Sequence, residues 1–334
     1  QGAYLLTFQA ALPRLQEAIS NSEETWAMQD QLSLFSQDKT TAEERQSSFK
    51  WSSGNEVTAV DELLAIAGHC RTRRQYADLM GCLIRFPQYS IFNALLLFLQ
   101  NPRVSRVATA GSWARRCNRY PRPGARPLII LAPTAPVLFL YDVSETEGPP
   151  LGIDSDPPSP HRTTPLREIF ERTQANCGLH GISLRQTATK DPQAVETVVR
   201  LTAATRKRYQ GLDLNPKASY LVILDQRAAL SDRYRNLARG LGQIFCGHYG
   251  IDARAWWPER EALSDQTEEI EAGSVARAVS GRLGLDGGGE NWTSGGQGFL
   301  PPFSLNAVIQ AASYIEEMGR HRWSAPKKKS RYKT

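Results

Sequence analysis

Residues 89–133 read YSIFNALLLFLQNPRVSRVATAGSWARRCNRYPRPGARPLIILAP, and the spacing of apolar residues changes period inside that run. Over residues 90–100 the apolar positions suit a helix, which Asn101 and Pro102 end. RPLIILAP at 126–133 and PVLFLYDV at 136–143 are short, rich in β-favouring residues and bounded by proline and glycine, so they read as two strands joined by a tight turn at 134–136. Helices first and a small sheet after place this half of the chain in the α+β class. Upstream, RRQYADLMGCLI at 73–84 reads as a helix that Pro87 breaks. VDELLAIAGHC at 60–70 reads as another, with Asn55 or Thr58 as its cap, and residues 1–50 as an amphipathic helix interrupted at Pro13 and a polar stretch.

The same region carries the most uneven charge in a chain of 334 residues and net charge +6. Between residues 79 and 140 there is no Asp or Glu, while Arg85, Arg103, Arg106, Arg115, Arg116, Arg119, Arg122 and Arg126 all fall there. The terminal KKKSRYKT is also basic, which leaves the rest of the chain net acidic. Arginines interleaved with Phe86, Tyr89, Phe92, Phe98, Trp113 and Tyr120 are the ingredients of a single-strand binder, cations for phosphates and ring faces for bases. A buried apolar core with a solvated arginine rim would give the same composition. The tail suits nucleic acid, an acidic partner or a solubilising end.

Other classes drop out. The longest apolar stretch, IFNALLLFLQ at 91–100, falls short of the roughly 20 residues of a membrane span, so no membrane partner is expected. The first twenty residues have neither a basic start nor a long apolar core, so they read as a truncated or processed beginning and not a signal peptide, and the expected location is cytoplasmic. Cys70, Cys82, Cys117, Cys177 and Cys246 include no Cys-x-x-Cys pair, which speaks against a disulfide framework or a cysteine zinc site. His69, His161, His180, His248 and His321 include no pair at i, i+4 that would put two metal ligands on one helix face.

Residues 148–165, GPPLGIDSDPPSPHRTTP, are the clearest linker of the chain. Beyond it the pattern predicts a helix at 165–177, an extended GISLRQT, a helix at 191–203 and a strand at SYLVIL. Helices follow at 229–248 and 266–283, then a glycine-rich surface loop at 284–298 and a last helix, SLNAVIQAASYIEEMGR. The expected organisation is an N-terminal helical extension at 1–55, a helical and small-sheet nucleic-acid-binding domain at 56–148, a linker at 149–164, a second domain at 165–323 and a basic tail at 324–334.

The 89–133 run, followed by LYDVSETEG, resembles the N-terminal domain of the ArdC anti-restriction family. The matching residues are Tyr89, Ser90, Asn93, Leu96, Gln100, Pro102, Trp113, Gly124, Ile130, Leu131 and Pro133, with Asp142, Thr146, Glu147 and Gly148 closing the block. That resemblance implies single-stranded DNA as partner. Arg85, Arg103, Arg106, Arg115, Arg116 and Arg119 then become the backbone contacts, and Tyr89, Trp113 and Tyr120 the stacking candidates, each also a candidate core residue; Asn93 and Gln100 read as structural, fixing the helix end and the turn at Pro102.

The second half is similar to the metallopeptidase domain of the same family, akin to ImmA/IrrE-type peptidases, which implies a zincin-like domain with the gluzincin-type helix arrangement. In RNLARGLGQIFCGH at 235–248 the two histidine positions of His-Glu-x-x-His fall on Arg239 and Gln243, and the general-base position on Gly240. TEEIEAGSVARAVSGRLGLD keeps the later helix, with Glu269 as the expected third ligand. A guanidinium cannot ligate a cation and glycine cannot take a proton from water, so the expectation is a pseudoenzyme with no bound metal and no cofactor, with a protein-interaction module or a residual metallopeptidase using another site as the alternatives. In it Arg239 would replace the zinc charge beside a buried Glu269, His248 would be a satisfied histidine at a helix end, and the old cleft is a candidate site for a protein partner.

Overall fold

The computed structural model describes residues 72–132, 137–151, 164–188, 198–252, 255–260, 262–285 and 298–323. The expected helices before residue 72, the 134–136 turn, most of the linker, the glycine-rich loop and the basic tail lie outside them. The protein is α+β, with small sheets among helices. Contacts divide it into two units, Gln1–His69 with Leu96–Pro157 and Cys70–Leu95 with Pro158–Thr334.

Helix α1 spans Arg73–Arg85 and opens on a capping box in which Thr72 and Gln75 satisfy each other's backbone N–H groups. Helix α2 spans Ile91–Gln100, starts at Ser90, whose hydroxyl accepts from Asn93 N at 3.1 Å, and contains the division between the units.

In the first unit, β1 (Val107–Ala108), helix α3 (Ala110–Cys117), β2 (Tyr120–Pro121), β3 (Leu128–Leu131), β4 (Val137–Asp142) and β5 (Thr146–Glu147) follow in order. The expected strand pair is present as β3 and β4, antiparallel with Leu128 opposite Leu140. β1 pairs with the other edge of β4, and β2 pairs with β5 as a separate ribbon. Buried and edge polar residues hold this unit together. The Gln100 amide donates to Ile129 O at 2.7 Å and accepts from Ile129 N at 2.8 Å, so it closes the open edge of β3 as another strand would. Asp142 is buried and accepts from Ser105 N, Arg106 N, Ser144 N and the Ser144 hydroxyl, tying the loop after α2 to the end of β4. Unpaired, each of those buried groups would carry a desolvation penalty.

In the second unit, helix α4 (Leu166–Cys177), β6 (Ile182–Thr187), β7 (Val198–Arg200), helix α5 (Ala203–Arg208), β8 (Tyr220–Asp225) and helices α6 (Leu230–Phe245), α7 (Asp265–Arg282) and α8 (Leu305–Arg320) follow. The helix expected at 191–203 is corrected over its described part. Residues 198–200 are a strand, because the β-branched Val198 and Val199 pack into the sheet and pair with Val222 and Leu221. The sheet order is β6-β8-β7, with β6 parallel and β7 antiparallel to the central β8.

Helix α7 is buried over most of its length and packs on α6, α8 and α1. Arg282 near its end is buried and donates to Leu83 O at 2.6 Å, Phe86 O at 3.1 Å and Tyr89 O, with Glu316 as counter-ion. A guanidinium therefore caps the carbonyls that α1 leaves open, and α1 counts with the second unit although the pattern placed it in the 56–148 block. No described helix is long and apolar enough to cross a membrane.

Candidate functional site

Helices α6 and α7 hold Arg239, Gly240, Gln243 and Glu269. Two glycines set how closely α6 approaches its neighbours. A Cβ on Gly240 would sit 3.0 Å from Val198 Cγ2 and 3.3 Å from Val222 Cγ1, and one on Gly242 would sit 3.0 Å from Val275 Cβ. Helix α6 lies against the sheet through one and against α7 through the other. The helix continues unbroken through both, since close packing offsets the propensity cost of roughly 1 kcal/mol per glycine.

Arg239 donates to Glu269 Oε2, so the expected pair is present. Its setting is not the expected one. The Glu269 side chain is 52% exposed, so this is a surface ion pair and no buried charge depends on it. The correction has a geometric cause: residues 269 and 271 are two apart on a helix, about 200° around it, and α7 turns Glu271 inward instead.

Glu271 is completely buried and fully engaged. Its Oε1 accepts from Arg260 Nη2 at 2.9 Å and from Ser304 N at 2.7 Å, and its Oε2 accepts from Arg260 Nη1 at 2.5 Å. His248 Nε2 lies 2.9 Å from the same oxygen, its side chain as buried as that of Glu271. Burial alone would push the Glu271 carboxyl up, but the hydrogen bonds from His248, Arg260 and Ser304 and the Arg260 charge outweigh it and hold the carboxyl below the usual range. Arg260 is held protonated, its own burial opposing this and Glu271 prevailing.

Neither place suits a catalytic zinc. At the pattern's position, Arg239 is a cation and Gly240 presents only backbone toward the sheet. Among the described residues, Cys246, His248 and Glu271 bring ligand-type atoms within 4.8 Å of one another. There both Glu271 oxygens are already occupied and Arg260 supplies the balancing charge, so a further cation would meet a guanidinium. The sequence signal for Glu271 was an acid standing among small and apolar residues, EAGSVARAV, while Arg260 comes from a loop without a motif.

The arginine block separates into two groups. Arg103, Arg115, Arg116, Arg122 and Arg126 are exposed, and among the described residues none of them pairs with a carboxylate. Arg106 is half-buried. Arg119 is 9% exposed, and its guanidinium donates to Thr146 Oγ1 at 2.9 Å, Thr146 O at 2.7 Å, Gly148 O at 3.1 Å and Pro149 O at 2.5 Å. The expectation that it contacts phosphate is corrected: the fold uses its donors. Trp113 is corrected in the same way, because its ring is in the core and its Nε1 donates to Tyr141 O at 2.8 Å. Arg85 and Tyr89 belong to the second unit, Arg85 exposed and Tyr89 half-buried with its phenol pushed up to about 12 by burial. Tyr120 is 53% exposed.

No family model matches the chain, and no curated protein or solved structure matches it.

Proposed function

We propose that this chain is an ArdC-like, anti-restriction type of single-stranded DNA-binding protein whose second unit is a zincin-like domain without peptidase chemistry. The observation that carries the reading is the surface of the first unit. Arg103, Arg115, Arg116, Arg122 and Arg126 stand exposed, among the described residues none of them pairs with an acid, and Tyr120, between Arg116 and Arg122 in the sequence, is exposed as well. Four of the five arginines fall between residues 115 and 126. Exposed guanidinium groups and an exposed aromatic ring within one short stretch of chain suit a strand whose phosphates and bases are both reachable. The pseudoenzyme half of the reading rests on Arg239, Gly240 and Gln243 at the positions where ligands and base would stand. Cys82, Cys117, Cys177 and Cys246 are free thiols, which suits a cytoplasmic setting.

The test is fluorescence anisotropy of a labelled single-stranded oligonucleotide against salt, with duplex DNA and RNA of the same sequence as competitors. Each phosphate contact contributes about −0.7 to the log–log slope, so five arginines give roughly −3.5, and Arg115→Ala/Arg116→Ala reduces its magnitude by about 1.4. No binding at about 50 mM salt, or a slope untouched by the double substitution, refutes the proposal.

A further inference from the structure

The acids of the first unit are as informative as its arginines. Asp142 is buried and bound to backbone, and Glu145 is half-buried. Glu147 is exposed, and among the described residues its carboxylate has no hydrogen bond or ion pair. It stands directly opposite Tyr120 in the antiparallel β2–β5 ribbon, Tyr120↔Glu147. Directly opposed residues in such a ribbon project to the same face with Cβ atoms about 5 Å apart.

The orientation of that face is set by buried neighbours. Arg119 is anchored inward by four hydrogen bonds, so the following residue, Tyr120, turns outward. Pro121 then restricts the Tyr120 backbone to extended geometry. The Tyr120 hydroxyl donates to Asn118 Oδ1 at 3.3 Å, and Asn118 is itself fixed in the left-handed conformation (φ 48°) that ends α3. Gly148 closes the ribbon where any Cβ would fall 2.6 Å from Asn118 O. The ring is thus presented by a stiff frame, so little freedom is lost when a base stacks on it.

We propose that Tyr120 and Glu147 form a one-base subsite selective for guanine in single-stranded DNA. This rests on the DNA reading above. A base stacked on the ring directs its Watson–Crick edge at the neighbouring carboxylate, while Arg115, Arg116, Arg122 and Arg126 take the flanking phosphates. Guanine offers two parallel donors, N1–H and the 2-amino group, which match a carboxylate's two oxygens. Adenine and cytosine offer a single amino group, and thymine offers only N3–H between two carbonyls that the carboxylate repels. An acid without a partner among the described residues, in an arginine-rich surface, weakens backbone binding, so its place is against a base.

The experiment is competition anisotropy with oligo-dT of about 12 nucleotides carrying one central dG, hypoxanthine, dA, dC or abasic residue. For the wild-type chain dG binds about tenfold tighter than dT, with hypoxanthine between them because it lacks the 2-amino donor. Glu147→Gln brings dG to within about twofold of dT while leaving dT binding equal or tighter. Tyr120→Ala weakens every one of these oligonucleotides about tenfold and abolishes the dG preference, while Tyr120→Phe, which keeps the ring face, retains that preference. Binding without a dG preference, or a preference that survives Glu147→Gln, overturns the subsite and leaves the DNA reading standing. A wild-type chain that binds none of the oligonucleotides overturns both.

Discussion

Replacing Arg260 by Met removes the charge opposite Glu271 and keeps an apolar stem of similar length. In the folded protein Glu271 is fully buried and takes two of its four close polar contacts from Arg260, at 2.5 and 2.9 Å. Removing one partner of a buried pair leaves an uncompensated charge and costs about 3–5 kcal/mol. For a unit of this size each kcal/mol moves the melting temperature by about 2–4 °C, so the variant melts roughly 6–20 °C lower at neutral pH. Arg239→Ala is the matched control: Glu269 is 52% exposed, so losing that pair costs about 1 kcal/mol or less. The dependence on pH carries the sign. In the wild-type chain the Glu271 carboxyl is held low, so its contribution is complete above the unfolded carboxylate range and is lost as pH falls through its folded value. Without Arg260, burial dominates and raises that carboxyl, so the charged form opposes folding and the deficit of the variant shrinks as pH falls toward 4.5. Denaturant melts followed by tryptophan fluorescence at several pH values measure this. A deficit under about 1 kcal/mol, or one independent of pH, refutes the description of Glu271 as a buried carboxylate sustained by Arg260.

Three further variants separate fold from function. Arg119→Ala removes donors to Thr146, Gly148 and Pro149, so it lowers the melting temperature of the first unit by an amount corresponding to about 2–4 kcal/mol while leaving the salt slope of DNA binding unchanged, as the same melts and titrations show. Restoring the peptidase pattern with Arg239→His/Gly240→Glu/Gln243→His yields no casein hydrolysis with added zinc. Gly240→Ala alone costs about 1–3 kcal/mol in a urea melt, because its methyl meets Val198 and Val222.

Much of the fold was legible residue by residue. The period of Leu230, Tyr234, Leu237, Leu241 and Ile244 placed α6, and Pro87 and Asn101-Pro102 bounded α1 and α2. The paired apolar runs at 126–143 placed β3 and β4. Residues 198–200 were misread because a short β-branched segment is helical or extended according to what it pairs with, and β8 is distant in sequence. Several residues of that stretch serve as scaffold: Gln100 closes a strand edge, Trp113 fills the core, Asp142 binds backbone and hydroxyl donors, and Gly148 allows a close approach. In the arginine block, sequence order could not distinguish Arg119 from Arg116, because a guanidinium is indifferent between a phosphate and a row of carbonyls until the chain brings one of them to it.

The sequence by itself determined the helix and strand periods, the acid-free basic block and the chemistry of Arg239, Gly240 and Gln243, a cation, a bare backbone and an amide, because these depend on residue type and local spacing. Only the tertiary structure decided which charges are buried. It turned Glu271 inward onto Arg260 and His248 and left Glu269 at the surface, and it consumed Arg119 while setting Tyr120 and Glu147 side by side. The physical reason is that the energy of a charge or a ring depends on its dielectric surroundings and partners, and those are supplied by segments tens of residues away.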